Sequence, residues 1–332
     1  MAFKALWITE DSNGKISREI KKREIADLPD GDVLIRVHYS GLNFKDALSA
    51  SGNKGITRKY PHTPGIDAAG IVEQTNNAEF PVGAEVFVSG YDLGMNTSGG
   101  FAQYVRVPAP WIINKPANLS FKDVMTIGTA GFTAAVALRK MELLGQVPAA
   151  GPLVITGSTG GVGSFAVLLA ASAGYQTIAI TGKTNANEYL HSLGATTIES
   201  RSFVDDKSGK ALIRPQWAGG IETIGGNILQ TLLKGCKPEG TIACTGLVAS
   251  NLLEGTVFPF ILNGVNLVGV GSAEMPIGKK KEIWNQLANN KILLGNLSAI
   301  ATEVSLDELN EVYIEKMLQG EIMGRIVVNT QL

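Results

Sequence analysis

Cysteine is nearly absent from this chain of 332 residues: only Cys236 and Cys244 carry a thiol. A disulfide framework is therefore excluded, and so is a four-cysteine structural zinc site. Histidine is scarce too, and His38, His62 and His191 show no metal-ligand spacing with the cysteines. An excess of charge of one sign is missing as well. Lys plus Arg number 29 and Asp plus Glu 30, for a net charge near -1. That balance leaves no electrostatic footprint for nucleic acid or an anionic membrane, and neither is expected as a partner. Long apolar runs are lacking: Phe165–Ala173 is about half of the ~20 residues that a bilayer span needs. The opening MAFKALWITEDSNGK has no sustained apolar stretch of the secretory type. The expectation is a cytoplasmic, reducing-compartment protein.

What is present is a globular composition, with 45% apolar and 18% charged residues, in a length that fits about two domains. Glycine is abundant at 39 residues and follows no repeat, which reads as turns and close backbone approaches. The first third is written in short strands. Val33, Ile35, Val37 and Tyr39 alternate with Leu34, Arg36 and His38. Short apolar runs follow at Ala69–Val72, Glu85–Val88 and Ala102–Val107, separated by Gly and Pro, as in a small β barrel. Near Ser120 the texture changes. Ser120 and Asp123 form a capping-box start to a helical run, and βα alternation then sets in. Strands are expected at Leu153–Thr156, Thr177–Thr181, Thr241–Thr245 and Asn266–Val270. Helices are expected at Gly163–Ala173 and at Ala186–Leu193, the latter closed by Gly194. Such alternation implies a parallel sheet covered on both faces, and so an α/β fold class. A helix near Leu306–Leu318 and a strand near Arg325–Val328 end the chain.

The sharpest motif is Gly157-Ser-Thr159-Gly160-Gly161-Val162-Gly163, directly after a strand and opening a helix. The glycines let backbone N–H groups approach a pyrophosphate, and the helix N-terminus favours its negative charge. This is a dinucleotide seat, with a plain structural turn as the alternative reading. Cofactor choice is read at the end of the next strand, where NAD binding wants an acid. Here stand Thr181, Gly182 and Lys183, and no acid appears before Glu188. A hydroxyl donor and a cation suit a 2′-phosphate, so NADPH is expected. The bland counterpart is a solvated Lys183.

Several further motifs carry a resemblance. Gly41-Leu-Asn43-Phe44-Lys45-Asp46, Pro64-Gly65-Ile66-Asp67-Ala68-Ala69-Gly70, Gly128-Thr-Ala-Gly131-Phe-Thr133-Ala-Ala135, FPFILNGVNLVGV and GRIVV occur in this order. The chain resembles the medium-chain dehydrogenase/reductase superfamily, in its zinc-lacking quinone oxidoreductase branch, and within it the NADPH-dependent acryloyl-CoA reductase subfamily. The resemblance spans essentially the whole chain. It implies a GroES-like β-barrel catalytic domain, residues 1–124 and 273–332, and a Rossmann doubly wound parallel-sheet domain, residues 125–272. Zinc-dependent relatives place a cysteine where this chain has Asn43 and a histidine where it has Ile66; Asn is a poor zinc ligand and Ile none.

Without a metal to polarise a carbonyl, the substrate must accept hydride readily, as an α,β-unsaturated thioester, an enone or a quinone does. The expected reaction is reduction of acryloyl-CoA to propanoyl-CoA. Quinone reduction and non-catalytic NADPH binding stand as alternatives. Asn43, Lys45 and Tyr91 are the candidate oxyanion donors or proton sources. Against these stand a turn role for Asn43, solvation for Lys45, and packing or lidding for Tyr91. Asp46 and Asp67 read as a structural pair. By resemblance Phe44, Thr133, Thr159, Gly160, Gly161, Val162, Arg201, Leu247, Ile261, Ser272 and Arg325 join Thr181, Gly182 and Lys183 as cofactor contacts. Ordinary surface arginines are the alternative for Arg201 and Arg325. Lys54, Arg58 and Lys59 form a small basic cluster suited to CoA phosphates, or simply a solvated face. Relatives pair the last Rossmann strand between subunits, so a homodimer through Asn266–Val270 is expected.

Overall fold

The computed structural model describes all 332 residues, Met1–Leu332. Two compact units divide the chain: unit 1 comprises Met1–Thr129 and Ala273–Leu332, and unit 2 comprises Ala130–Ser272. In chain order the strands of the N-terminal part are β1 (Ala2–Glu10), β2 (Ile16–Glu24), β3 (Val33–Leu42), β4 (Asp67–Thr75), β5 (Glu85–Ser89), β6 (Tyr104–Val107) and β7 (Ile112–Asn114). Unit 2 holds β8 (Leu153–Ile155), β9 (Thr177–Thr181), β10 (Thr197–Ser200), β11 (Trp217–Glu222), β12 (Cys236–Cys244) and β13 (Asn266–Gly269). The tail adds β14 (Ala301–Val304) and β15 (Arg325–Asn329). The helices that matter here are α1 (Phe44–Ala50), α2 (Phe121–Leu143), α3 (Gly161–Ser172), α4 (Asn187–Ser192), α5 (Gly226–Lys234), α6 (Phe258–Asn263) and α7 (Ile277–Ala288).

Unit 1 is organised by β3. The sheet order is β14-β15-β3-β4-β5-β7, with β6 also paired to β3. Val33, Ile35 and Val37 enter a core with Val72, Val86, Val88 and Val105. The alternate position Leu34 packs with Phe3, Leu28 and Tyr104. Both faces of β3 are thus covered, as period-2 side chains on a central strand require. The C-terminal strand β15 lies antiparallel to β3, pairing Ile326 with Leu42 and Asn329 with Tyr39. Helix α2 opens with the expected reciprocal cap: Ser120 N donates to Asp123 Oδ2 at 3.0 Å, and Asp123 N donates to Ser120 Oγ at 3.1 Å. The helix breaks at Gly128, at φ 46 and ψ -157. The tail segment expected as one helix, residues 306–318, contains a π turn over Leu309–Tyr313.

Unit 2 is the expected doubly wound sheet, wholly parallel, in the order β10-β9-β8-β11-β12-β13. Its core joins Val154, Ile180, Trp217, Leu232, Leu233 and Ile242. In the central strand β11, Gly219 and Gly220 lie where a Cβ would come within 2.7 Å of Thr241 O and 2.8 Å of Val154 O. Glycine there permits close approach of the flanking strands.

Candidate functional site

The turn between β8 and α3 is shaped by its glycines. Gly157 sits at φ +57, a left-handed conformation that favours glycine. A Cβ on Gly163 would lie 2.2 Å from the carbonyl oxygen of Gly157. Gly160 N donates to Gly157 O at 2.9 Å, and Ser164 N to Gly160 O at 2.8 Å. The N–H groups of the first turn of α3, including those of Gly161 and Val162, have no carbonyl partner inside the helix. A bare backbone, a helix N-terminus and no room for a side chain fit a pyrophosphate.

The end of β9 lies against this turn. Ser158 N donates to Ile180 O at 3.1 Å, and Lys183 Nζ donates to Thr159 Oγ1 at 3.3 Å. Lys183 N also donates to Thr181 Oγ1 at 3.1 Å. A Cβ on Gly182 would meet Arg201 Nε at 2.6 Å, so the Arg201 guanidinium packs on the Gly182 backbone. Thr159, Thr181, Gly182, Lys183 and Arg201 are therefore neighbours, which puts two cations at the strand end. Thr133 and Ser272 are also brought together, with their hydroxyls 2.7 Å apart. Leu247 and Ile261 are exposed at 58% and 67%, and no contact links them to this group.

Unit 1 carries an ionic knot. The Arg325 guanidinium is 2% exposed. It donates to Leu42 O at 2.7 Å and to Asn43 Oδ1 at 2.9 Å, and it reaches Asp67 Oδ2 at 3.5 Å. Asn43 Nδ2 in turn donates to Asp67 Oδ2 at 2.9 Å, Gly41 O at 3.1 Å and Asp46 Oδ2 at 3.2 Å. Asp46 also receives the N–H groups of Asn43 and Ile66, both at 2.9 Å. Asp67 Oδ1 receives the hydroxyl of Thr129 at 2.7 Å. A Cβ on Gly128 would meet Arg325 Nη2 at 2.7 Å and Asp67 Oδ2 at 2.8 Å, which explains glycine at the break in α2. Burial is the main cause that pushes the Asp46 carboxyl up to about 7, and burial lowers the Arg325 guanidinium from its ordinary value. Asp46 and Asp67 are the structural pair expected, with a cation that sequence reading had assigned to a cofactor contact. The Asn43 amide and the Arg325 guanidinium are committed inside the knot.

The other candidates lie at the rim of unit 1. Phe44 is the first residue of α1 and half-buried. Lys45 is half-buried, with Met95 Sδ 3.8 Å from its Nζ and no acidic partner. Lys54 is paired with Glu10 and lies over the Tyr60 ring, whereas Arg58 and Lys59 are exposed without an ion pair. The histidines are occupied structurally: His38 stacks on Phe121, His62 Nε2 is 2.9 Å from Gly94 O, and His191 Nδ1 is 3.1 Å from Ala195 O. Tyr91 is described below. Reading the sequence missed Lys280, buried on α7; its place among Lys279, Lys280 and Lys281 gave it the look of a solvated run.

Residues 29–117 match the alcohol dehydrogenase GroES-like domain, and residues 161–289 match the zinc-binding dehydrogenase family. The chain is 36% identical to the acrylyl-CoA reductase AcuI of Ruegeria pomeroyi over 328 residues, covering 98% of this chain and 99% of that one. It is 39% identical to YhfP of Bacillus subtilis, provisionally named a quinone oxidoreductase, covering 98% of each. Among solved structures, Escherichia coli YhdH with bound NADPH is 37% identical with a TM-score of 0.94, covering 98% of this chain and 99% of that one. B. subtilis YhfP with NAD bound is 38% identical, also at 0.94, covering 99% and 100%. A zinc ion does not fit the residues present. Asn43 and Ile66 offer no ligand pair, the Asp46 and Asp67 carboxylates are engaged by the knot, and no three His, Cys, Asp or Glu side chains converge.

Proposed function

As a member of the medium-chain dehydrogenase/reductase superfamily the chain has a fold built for nicotinamide chemistry, and we propose that it reduces the activated C=C bond of a small acryloyl-type CoA thioester with NADPH. The observation that carries this reading is the full-length likeness to an acrylyl-CoA reductase, in a chain whose strand-end neighbourhood of Thr181, Gly182, Lys183 and Arg201 suits a 2′-phosphate. NADPH, when bound, supplies the hydride. It would be held by the Gly157–Gly163 turn, with Lys183 and Arg201 at the phosphate, Thr133 and Ser272 as a hydroxyl pair, and Phe44, Leu247 and Ile261 as apolar contacts.

The chain's own task is to hold the alkene, exclude water and offer donors to the carbonyl oxygen on which charge collects. The overall change adds hydride at the β-carbon and a proton at the α-carbon, giving the saturated thioester. Lys45 and Tyr91 are the donors we assign to that oxygen. Asn43 serves by fixing the start of α1, because its two N–H groups are already spent. Arg58 and Lys59 are the cations left for CoA phosphates. We place the GroES-like unit as the catalytic domain and the protein in the cytoplasm. We also infer a homodimer built on the free edge of β13, Asn266–Gly269. Light scattering that returns a monomer overturns the dimer.

The experiment is NADPH consumption with acryloyl-CoA and with 1,4-benzoquinone in parallel. Fast, saturable turnover of the thioester and weak turnover of the quinone is the expected result. The reverse pattern makes the protein a quinone reductase. Binding without turnover across both makes it a nucleotide-binding protein only.

A further inference from the structure

Tyr91 is held in an unusual way. Its φ is +55, and it follows Gly90 at φ +81. A left-handed conformation is costly for a bulky aromatic residue and persists only where neighbours enforce it. The enforcing neighbour lies on α7. Lys280 is 1% exposed, and its ammonium donates to Ser89 O at 2.6 Å and to Ala273 O at 2.8 Å. Those two carbonyls bracket the turn: Ser89 precedes Gly90, and Ala273 O also receives Tyr91 N at 3.0 Å. A Cβ on Gly90 would fall 2.7 Å from the same Ala273 oxygen. The ammonium also lies 3.6 Å from the centroid of the Tyr91 ring, well inside cation–π range. Trp111 lies parallel to that ring at 5.6 Å, with an interplanar angle of 8°. The Tyr91 hydroxyl has only a long contact, 3.4 Å to Met275 O.

A buried cation is expensive unless something requires it. Here no carboxylate pairs with it directly. Its donors go to the backbone on either side of one turn, and its charge goes to one ring.

We propose that Lys280 is a positioning residue that pins the Gly90–Tyr91 turn and holds the Tyr91 ring in place for substrate. Its role for substrate rests on the assignment of Tyr91 as a donor; its hold on the turn does not. Burial pulls the Lys280 amine down to about 8, with Asp67 on β4 acting in the opposite direction. The groups facing it are that carboxylate and the phenol of Tyr91, which burial pushes above its ordinary value. The attraction to the ring therefore fades as the pH rises through about 8.

The test follows the ring 13C–1H signals of tyrosine in the full-length protein, with Tyr91 identified by its loss in Tyr91→Phe. In the unaltered protein the Tyr91 signals should titrate with a midpoint near 8. Lys280→Met should shift and broaden them and abolish the titration, and Lys280→Arg should restore the shifted position without a midpoint near 8. Tyr91 signals that are identical in Lys280→Met overturn the proposal. If Lys280→Met fails to fold, Lys280→Gln, which keeps a donor for the two carbonyls but puts no charge on the ring, decides in its place: unmoved Tyr91 signals there overturn the proposal. In kinetics, Lys280→Met should lower kcat/KM about tenfold, and Lys280→Met with Tyr91→Leu should be no worse than Tyr91→Leu alone. Normal kinetics for Tyr91→Leu would remove Tyr91 from the chemistry and leave the spectroscopic result to judge Lys280.

Discussion

Unit 1 keeps two carboxylates and a guanidinium away from water around Asn43, whereas unit 2 offers its ligand seat as nearly bare backbone. The two regions are vulnerable to opposite insults. The knot fails when an atom is removed, because a buried charge is left without its partner. The seat fails when an atom is added, because its walls are carbonyl groups that cannot retreat. Side chains specify the first geometry and their absence specifies the second.

The largest effect should come from breaking the knot. Arg325→Met leaves the buried Asp67 carboxylate without its counter-ion, and urea unfolding should show a loss of about 3–5 kcal/mol. The knot also predicts a pH slope. Asp46 keeps its proton up to about 7 in the fold but only to about 4 when unfolded. Folding therefore takes up a proton between those values, and stability falls as pH rises across the window. Asp46→Asn should flatten that slope; an unchanged slope would show that another group causes it.

The seat is tested by addition. Gly163→Ala drives a Cβ into the Gly157 carbonyl and should cost about 1–3 kcal/mol in thermal stability, with a parallel loss of NADPH affinity by calorimetry. Charge reversal at Lys183 and Arg201 should lower affinity for NADPH relative to NADH by about 10- to 100-fold. Equal affinities before and after would mean that neither cation reads the 2′-phosphate. The smallest effect is expected at Lys54, already neutralised by Glu10. Lys54→Ala should change KM for a CoA substrate less than twofold, while reversing Arg58 and Lys59 should raise it.

What could be read in the sequence follows the same divide. The fingerprint turn, β9 and the Ser120–Asp123 cap are local, and each was visible as a contiguous pattern. Strand β11 was not, because Gly219 and Gly220 erase the apolar alternation that announces a strand. The knot was half visible. Asp46 and Asp67 looked structural, but Arg325, 282 residues from Asn43, declares its partner only when β15 lies beside β3. Lys280 was hidden for the same reason: burial of one lysine among three is decided by which face of α7 packs inward.

Strand β15 has a consequence for the making of the protein. It supplies the ladder partner of β3 and the cation for the knot, yet its Arg325 is made 282 residues after the Asn43 it binds. Unit 2 is uninterrupted in sequence, so every strand of its sheet is available once Ser272 has emerged. Unit 1 begins earlier and finishes later: part of the β3 edge stays unfilled, and Asp67 lacks its counter-ion, until Arg325 has emerged. Long-range pairings of this kind slow folding and leave strand edges open to wrong partners. A ribosome stalled shortly before Arg325 would thus hold one domain able to fold and one that cannot yet close.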